Sequence, residues 1–305
     1  MTLQNAIEEF LLYLDAVRGL SANTVTGYKN DLSELASFLG AEKEIGEINR
    51  EDFNSCIAQL SKLGRASTTI NRFIAAVRTL FAYCRKFGYI LNNPALELKT
   101  VRVAKKVPDF LTAKEVDELC REPEVNELLW QTRDRAIFEM LYSSGCRISE
   151  ITALKFSDFI EGFHVAIIVG KGGKSRKVFF EADAQKALNE YLEDRKKVLE
   201  EHHCDVKMDR IFINQKGVPL SVGGVRWIIT KYSGTEGTKR HVNPHAFRHT
   251  FATQLLANGA DVRAVQELLG HASVSTTQRY THITTEQLIE TYNRAHPHSK
   301  DDSEK

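Results

Sequence analysis

Apolar positions in the first hundred residues recur at helical spacing. Ile7, Phe10, Leu11 and Leu14 share one face, and Val25, Tyr28, Leu32, Leu35 and Phe38 share another. Ser21 or Asn23 suits the N-cap of the second helix, and Gly40 suits its end. Asn49 or Arg50 opens a third helix with Phe53, Ile57 and Leu60 inward. Ser67 is expected to cap a fourth, whose stripe is Ile70, Ile74, Val77 and Phe81, and Asn92-Asn93-Pro94 stops the run. No alternating pattern interrupts this block, so residues 1–98 predict a small helical domain.

Residues 99–111 are basic, carry a proline and lack a period, which predicts a linker. Thr112 then caps a helix through Cys120, and another runs from Arg133 to Ser143. Residues 163–180, FHVAIIVGKGGKSRKVFF, alternate around a glycine-rich centre and predict a β-hairpin. Helical periods return near 182–200, 222–232, 244–258, 261–269, 275–281 and 284–294. The second domain, residues 112–298, is therefore expected to be mainly α with a small antiparallel sheet, an α+β arrangement, and residues 299–305 a disordered tail.

Composition narrows the classes. With 305 residues and 42% of them hydrophobic, the chain can bury more than one core. No run of about 20 apolar residues exists, so no membrane span or membrane partner is expected. The opening MTLQNAIEEFLLYLDAVRG has acids within its apolar stretch and reads as an amphipathic helix, not a signal peptide, which places the protein in the cytoplasm. The five cysteines are scattered and form no C-x-x-C pair, which predicts free buried thiols. His202-His203-Cys204 offers donors for a metal, but adjacent residues ligate one ion poorly and no partner set lies nearby.

The net charge of +1, from 41 basic and 40 acidic residues, does not by itself point to nucleic acid. A local stripe matters more than the sum. Arg65, Arg72, Arg78, Arg85 and Lys86 lie on or beside the fourth helix, either as a solvated face or as phosphate contacts. Lys105 and Lys106 in the linker have the same two readings.

Several residues can do chemistry. Arg147 sits in SSGCRISEI, after a break at Gly145; Ser149 can cap the next helix, and Glu150 is near enough to orient the guanidinium. Lys171 and Lys174 flank the hairpin tip, where glycines allow close backbone approach. In Asn243-Pro244-His245-Ala246-Phe247-Arg248-His249-Thr250, Pro244 suits a first helical turn and puts His245 and Arg248 on one face. The free N–H groups of a helix start, an imidazole and a guanidinium together make a phosphate-oxygen site. His249 points elsewhere, as a structural residue. Gly270 suits a helix end, His271 follows it, and Tyr280 opens the next helical stretch. Singly, each has an ordinary structural reading.

Taken in order, Arg147, Lys171, His245-x-x-Arg248, Gly270-His271 and Tyr280 resemble the catalytic set of the tyrosine recombinases (phage integrase family). The block HAFRHTFATQLLANGADVRAVQELLGHASVSTTQRYTH looks like their signature, and the whole chain most resembles their bacterial chromosomal Xer branch. The resemblance implies attack of Tyr280 on a DNA phosphodiester to give a 3′-phosphotyrosine and a free 5′-hydroxyl. Arg147 and Arg248 would clamp the phosphoryl oxygens, and Lys171, with Lys174 as runner-up, would protonate the leaving oxygen. His245 would support proton transfer and His271 would donate a hydrogen bond to the phosphate. Arg72, Arg78, Lys105, Lys106 and Lys174 would contact DNA.

The resemblance also implies no cofactor, metal or ATP for the chemistry. Its partners would be double-stranded DNA with a two-arm site, a homo- or hetero-tetramer on that DNA, a second Xer-type recombinase and a septal DNA translocase as activator. The role would be chromosome dimer resolution at cell division, and the terminal helix with Leu288, Ile289 and Tyr292 would dock on a neighbouring protomer or on its own domain. An integrase of a phage or mobile element, a type IB topoisomerase and a non-catalytic DNA-binding protein are the competing readings. The small size of the block before the catalytic domain favours the Xer branch over the larger integrases.

Overall fold

The computed structural model describes residues 1–103, 112–126, 128–170, 173–233, 242, 244–270 and 285–295. The chain divides into two compact units, Met1–Val107 and Pro108–Lys305.

In the first unit, α1 (Leu3–Leu12) starts at Thr2, whose hydroxyl accepts from the Asn5 amide, and runs on as one π-helical turn, Tyr13–Val17. Helix α2 (Ala22–Leu39) is capped by Ser21 and stopped by Gly40 at φ 92°. Asn49 caps α3 (Arg50–Lys62), while the Asp52 carboxylate reaches back to the Asn49 amide. Helix α4 (Ser67–Lys86) buries Ile70, Phe73, Ile74, Val77, Leu80 and Phe81 through the middle of the core.

Two expectations for α4 need correction. Ser67 is its first residue, not its cap, because the chain is still extended at Ala66. The helix also ends at Lys86, well before Asn92-Asn93-Pro94. The reason is Gly88: its φ of 78° turns the chain left-handed, and the Tyr89 amide folds back onto the Cys84 carbonyl at 2.9 Å. Beyond it, the Asn71 side chain both donates to the Val101 carbonyl and accepts from the Val101 amide, at 2.9 and 2.7 Å.

The second unit is built around α6 (Gln131–Ser144), which is buried from Ala136 onward. Against it pack α5 (Ala113–Val125), α8 (Ala182–Glu201) and α10 (Pro244–Ala257). Thr112 caps α5 as anticipated, but that helix continues past Cys120 and takes Pro123 into its last turn. After Gly145, the short α7 (Ile148–Ala153) begins at Arg147. Ser149 therefore lies inside α7; the cap function falls to the Glu150 carboxylate, which accepts from the Arg147 amide.

Three antiparallel strands follow in the order β1 (Phe159–Glu161), β2 (Val165–Val169) and β3 (Ser175–Phe179). Strands β2 and β3 are the expected hairpin, with Ile168 opposite Arg176 and Val169 opposite Ser175. The short β1 is an addition to that hairpin, paired with β2 across a register shift.

Helices α9 (Val222–Tyr232), α11 (Val262–Leu269) and α12 (Thr285–Ala295) complete this unit among the described residues. Helix α12 packs on its own domain. Tyr292 and Ala295 are buried beside Phe179, Phe251, Leu255, Val265, Leu268 and Leu269. The Tyr292 hydroxyl donates to the Ser143 carbonyl at 2.7 Å, and the Asn258 amide donates to the Ala295 carbonyl.

All five cysteines are free; four are buried and Cys204 is half-buried. No helix among the described residues is long and apolar enough to cross a membrane.

Candidate active site

The local sequence at Gly145 creates the centre of the site. Helix α6 ends there because the chain turns left-handed at φ 60°, a conformation in which glycine carries no steric cost. The turn releases the Gly145 carbonyl, which accepts a hydrogen bond from Arg248 Nη1 at 2.9 Å. Arg248 comes from the first turns of α10, where burial of Ala246, Phe247 and Phe251 fixes the helix rotation. Its Nη2 donates to the Leu269 carbonyl at the end of α11. Arg248 is 8% exposed. Burial, with the Arg147 and Arg176 charges close by, brings its pKa down to about 10, which still leaves it a cation at neutral pH.

Arg147 stands two residues beyond Gly145. Its Nη1 donates to Glu150 Oε1 at 2.8 Å, and its amide donates to Glu150 Oε2 at 2.8 Å. The Arg147 side chain remains 29% exposed, so one edge of the guanidinium is held while the rest faces outward. Glu150 itself is nearly enclosed. Burial alone would raise its pKa, but hydrogen bonds from Arg176 and Arg147 hold the carboxyl down to about 2.

Arg147 and Arg248 thus lie close enough for their charges to interact, and Glu150 holds the first guanidinium, as its spacing anticipated. His245 lies in the first turn of α10 on the exposed side, one helical turn before Arg248. His249 is exposed as well. Lys174 is exposed at the start of β3, where its carbonyl accepts from the Gly170 amide at 2.8 Å. Lys171, His271, Tyr280, Lys105 and Lys106 lie outside the described residues.

Sequence reasoning missed Arg176. Its guanidinium holds both oxygens of Glu150, at 3.0 and 2.8 Å, and its Nε donates to the Leu268 carbonyl at 2.9 Å. The signal was present: strand alternation puts Arg176 in phase with buried Val178.

In the first unit, Arg72 and Arg78 have protein partners. Arg72 makes a two-pronged pair with Asp31, both contacts at 2.9 Å, although 62% of its side chain is exposed. Arg78 donates to the Leu98 carbonyl and holds the segment after α4. Among the described residues no group of His, Cys, Asp and Glu is arranged to hold a metal ion.

Two sequence profiles match the chain: the phage integrase family over residues 109–287, and the phage integrase N-terminal SAM-like domain over residues 7–87. The chain belongs to the phage integrase family. Among curated members of this family, tyrosine recombinase XerC of Treponema denticola is 42% identical, covering 97% of this chain and 100% of its own. Tyrosine recombinase XerC of Thermodesulfovibrio yellowstonii is 37% identical, with 97% of both chains covered. Tyrosine recombinase XerD of Listeria monocytogenes is 35% identical over 97% of this chain and 99% of its own. The integrase-family protein described here is therefore a tyrosine recombinase, a DNA strand-exchange enzyme of the Xer type.

Its fold is similar to that of a lambda integrase (residues 75–356) dimer bound to a COC′ core site. That match has a TM-score of 0.70 at 20% identity and covers 93% of this chain and 100% of the other. The Tn1549 transposon integrase in complex with circular intermediate DNA matches with a TM-score of 0.71 at 20% identity, covering 95% and 98%.

Proposed function

We propose that Tyr280 is the nucleophile of this recombinase and that Arg147 and Arg248 bind the phosphate it attacks. The observation that carries the reading is that the Arg248 guanidinium is held on the Gly145 carbonyl close enough to Arg147, two residues on, for the two charges to interact. A guanidinium has five N–H donors. Among the described residues Arg248 gives two of them to carbonyls and Arg147 gives one to Glu150, besides its backbone amide. The remaining donors can take the non-bridging oxygens of a phosphoryl group as charge concentrates on them.

In the reaction so assigned, the Tyr280 oxygen bonds to phosphorus and the 5′-oxygen leaves. Lys171 supplies the leaving oxygen with its proton, Lys174 being the second choice, and His245 helps to move the tyrosine's proton. His271 donates to a phosphate oxygen. The phosphodiester bond energy is kept in the 3′-phosphotyrosine, so rejoining needs no nucleotide cofactor.

The first unit, with Arg72, Arg78, Lys105 and Lys106, is read as the second grip on the duplex. The partner is double-stranded DNA carrying a two-arm site, bound as a tetramer with itself or with a second Xer-type recombinase. Chromosome dimer resolution at division, in the cytoplasm and activated by a septal DNA translocase, is the role that fits the near full-length likeness to XerC and XerD proteins.

Cleavage of a nicked suicide substrate bearing the host's recombination site tests the reading. The expected result is a covalent protein–DNA adduct that is lost in Tyr280→Phe with binding retained. An adduct that persists in Tyr280→Phe overturns the assignment.

A further inference from the structure

Glu150 is shared by two arginines that use it differently. Oε1 accepts from Arg147 at 2.8 Å and from Arg176 at 3.0 Å; Oε2 accepts from the Arg147 amide and from Arg176, both at 2.8 Å. Arg147 keeps an exposed edge, whereas the Arg176 side chain is 9% exposed and directs all three of its nitrogens at protein oxygens. The third of those oxygens is the Leu268 carbonyl, one residue before the Leu269 carbonyl that Arg248 uses.

Gly270 leaves room for this arrangement. A Cβ there would come to 3.0 Å from Arg176 Cδ, 3.3 Å from Nη1 and 3.4 Å from Nε. Arg176 therefore reaches from its own strand β3 to helix α7 and the end of α11, hydrogen-bonding Glu150 on one and the Leu268 carbonyl on the other.

We propose that Arg176 is a positioning residue for strand cleavage: it locks Glu150, and through it the Arg147 guanidinium, against the strand that follows the hairpin tip and the helix that leads to His271. The role in cleavage rests on the Tyr280 reading above. Two consequences follow from the geometry. Without Arg176, Arg147 is the remaining partner of Glu150 among the described residues, and the pair loses the anchor that holds the guanidinium where a phosphate should meet it. Glu150 also loses two of its four hydrogen bonds among the described residues while staying buried, so it takes up a proton far more readily. Among the described residues, Arg147, Arg176, Arg248 and Cys146 are the titratable or charged groups around that carboxyl.

The test uses the full chain in three forms: wild type, Arg176→Met and Arg176→Lys. Single-turnover adduct formation is followed against DNA concentration and pH, and the Glu150 carboxyl is titrated by 13C NMR. In Arg176→Met the limiting rate is expected to fall about 10²-fold, as for a catalytic group displaced by about 1 Å. The half-saturating DNA concentration should stay within about 3-fold, and a new loss of rate should appear on the acid side between pH 7 and 5. Arg176→Lys, which keeps the charge and not the fork, should recover part of the rate and so guards against a Met variant that does not fold.

A role in packing alone would lower the active fraction without creating the acid limb. Equal limiting rates and pH profiles, or an effect confined to DNA affinity, overturn the positioning role. An unshifted Glu150 titration in Arg176→Met overturns the link between the two residues whether or not an adduct forms. Absence of an adduct from the wild type overturns the Tyr280 reading instead.

Discussion

Gly145 lies against the ring of Phe251 with no space between them for a side chain. A Cβ at 145 would fall within 3 Å of three ring carbons, and the backbone there is left-handed. Replacement by alanine combines a clash in a packed core with a strained conformation. Gly145→Ala is expected to lose about 3 kcal/mol of stability. It should also cleave DNA poorly, since both Arg147 and the Arg248 acceptor move with this turn. Thermal unfolding and adduct yield measure the two effects; an unchanged melting temperature contradicts the packing argument.

Glu150 should make the protein sensitive to acid in a defined window. Its folded-state pKa is depressed, from 4.5 to about 2: burial opposes the shift, and the hydrogen bonds and charges of Arg176 and Arg147 outweigh it. A depressed carboxylate contributes stability that is complete above its unfolded pKa and disappears as pH falls through the folded one. Stability from this group should therefore be full at pH 6 and decline between about pH 4.5 and 2. Denaturant melts across that range, wild type against Glu150→Gln, give the comparison. The variant should show a shallower decline, and parallel curves would remove Glu150 from the account.

Tyr292 tests where α12 belongs. Its ring is 1% exposed and its hydroxyl donates to the Ser143 carbonyl. Tyr292→Phe should cost about 1–2 kcal/mol. Tyr292→Ala should cost about 3–5 kcal/mol and speed hydrogen exchange in α12. Because the docking is within one chain, neither loss should depend on protein concentration in the absence of DNA. A concentration-dependent melting temperature would point to exchange of the helix between protomers.

Arg72 separates a structural from a DNA-binding role. The Asp31 side chain is 3% exposed, so Arg72→Ala leaves a buried carboxylate unpaired and should destabilise the first unit by about 1–3 kcal/mol. If Arg72 also touches phosphate, the slope of log affinity against log salt should shrink by about 1. A stability loss with an unchanged slope assigns Arg72 to the fold alone.

The sequence made some of this legible and hid the rest for physical reasons. Helical periods found the principal helices because burial on one face leaves a mark every three or four residues, as at Ile70, Ile74, Val77 and Phe81. Exact ends were harder. Ser67 and Ser149 have cap chemistry, but the backbone at Ala66 and Arg147 decides where each helix starts. The stop at Gly88 depends on a glycine in a left-handed turn, which competes with the more conspicuous Asn-Asn-Pro further on. Arg147 and Arg248 were legible through motif order and local spacing. For Arg176 the strand alternation marked an inward position but not its partners, because Glu150 lies 26 residues away and Leu268 lies 92 residues away along the chain.

The carbonyls that hold Arg248 also bear on its charge. Gly145 closes α6 and Leu269 closes α11, so the guanidinium sits at the C-terminal ends of two helices. Each such end carries about half a negative charge from the aligned peptide dipoles. Two of them nearly balance one cation. The arginine is thus kept charged in a buried place by backbone carbonyls, which, unlike a carboxylate, bring no full charge to compete with an incoming phosphate. It also means that the residue assigned to transition-state stabilisation ties two helices together, so its loss should weaken the fold and the chemistry at once.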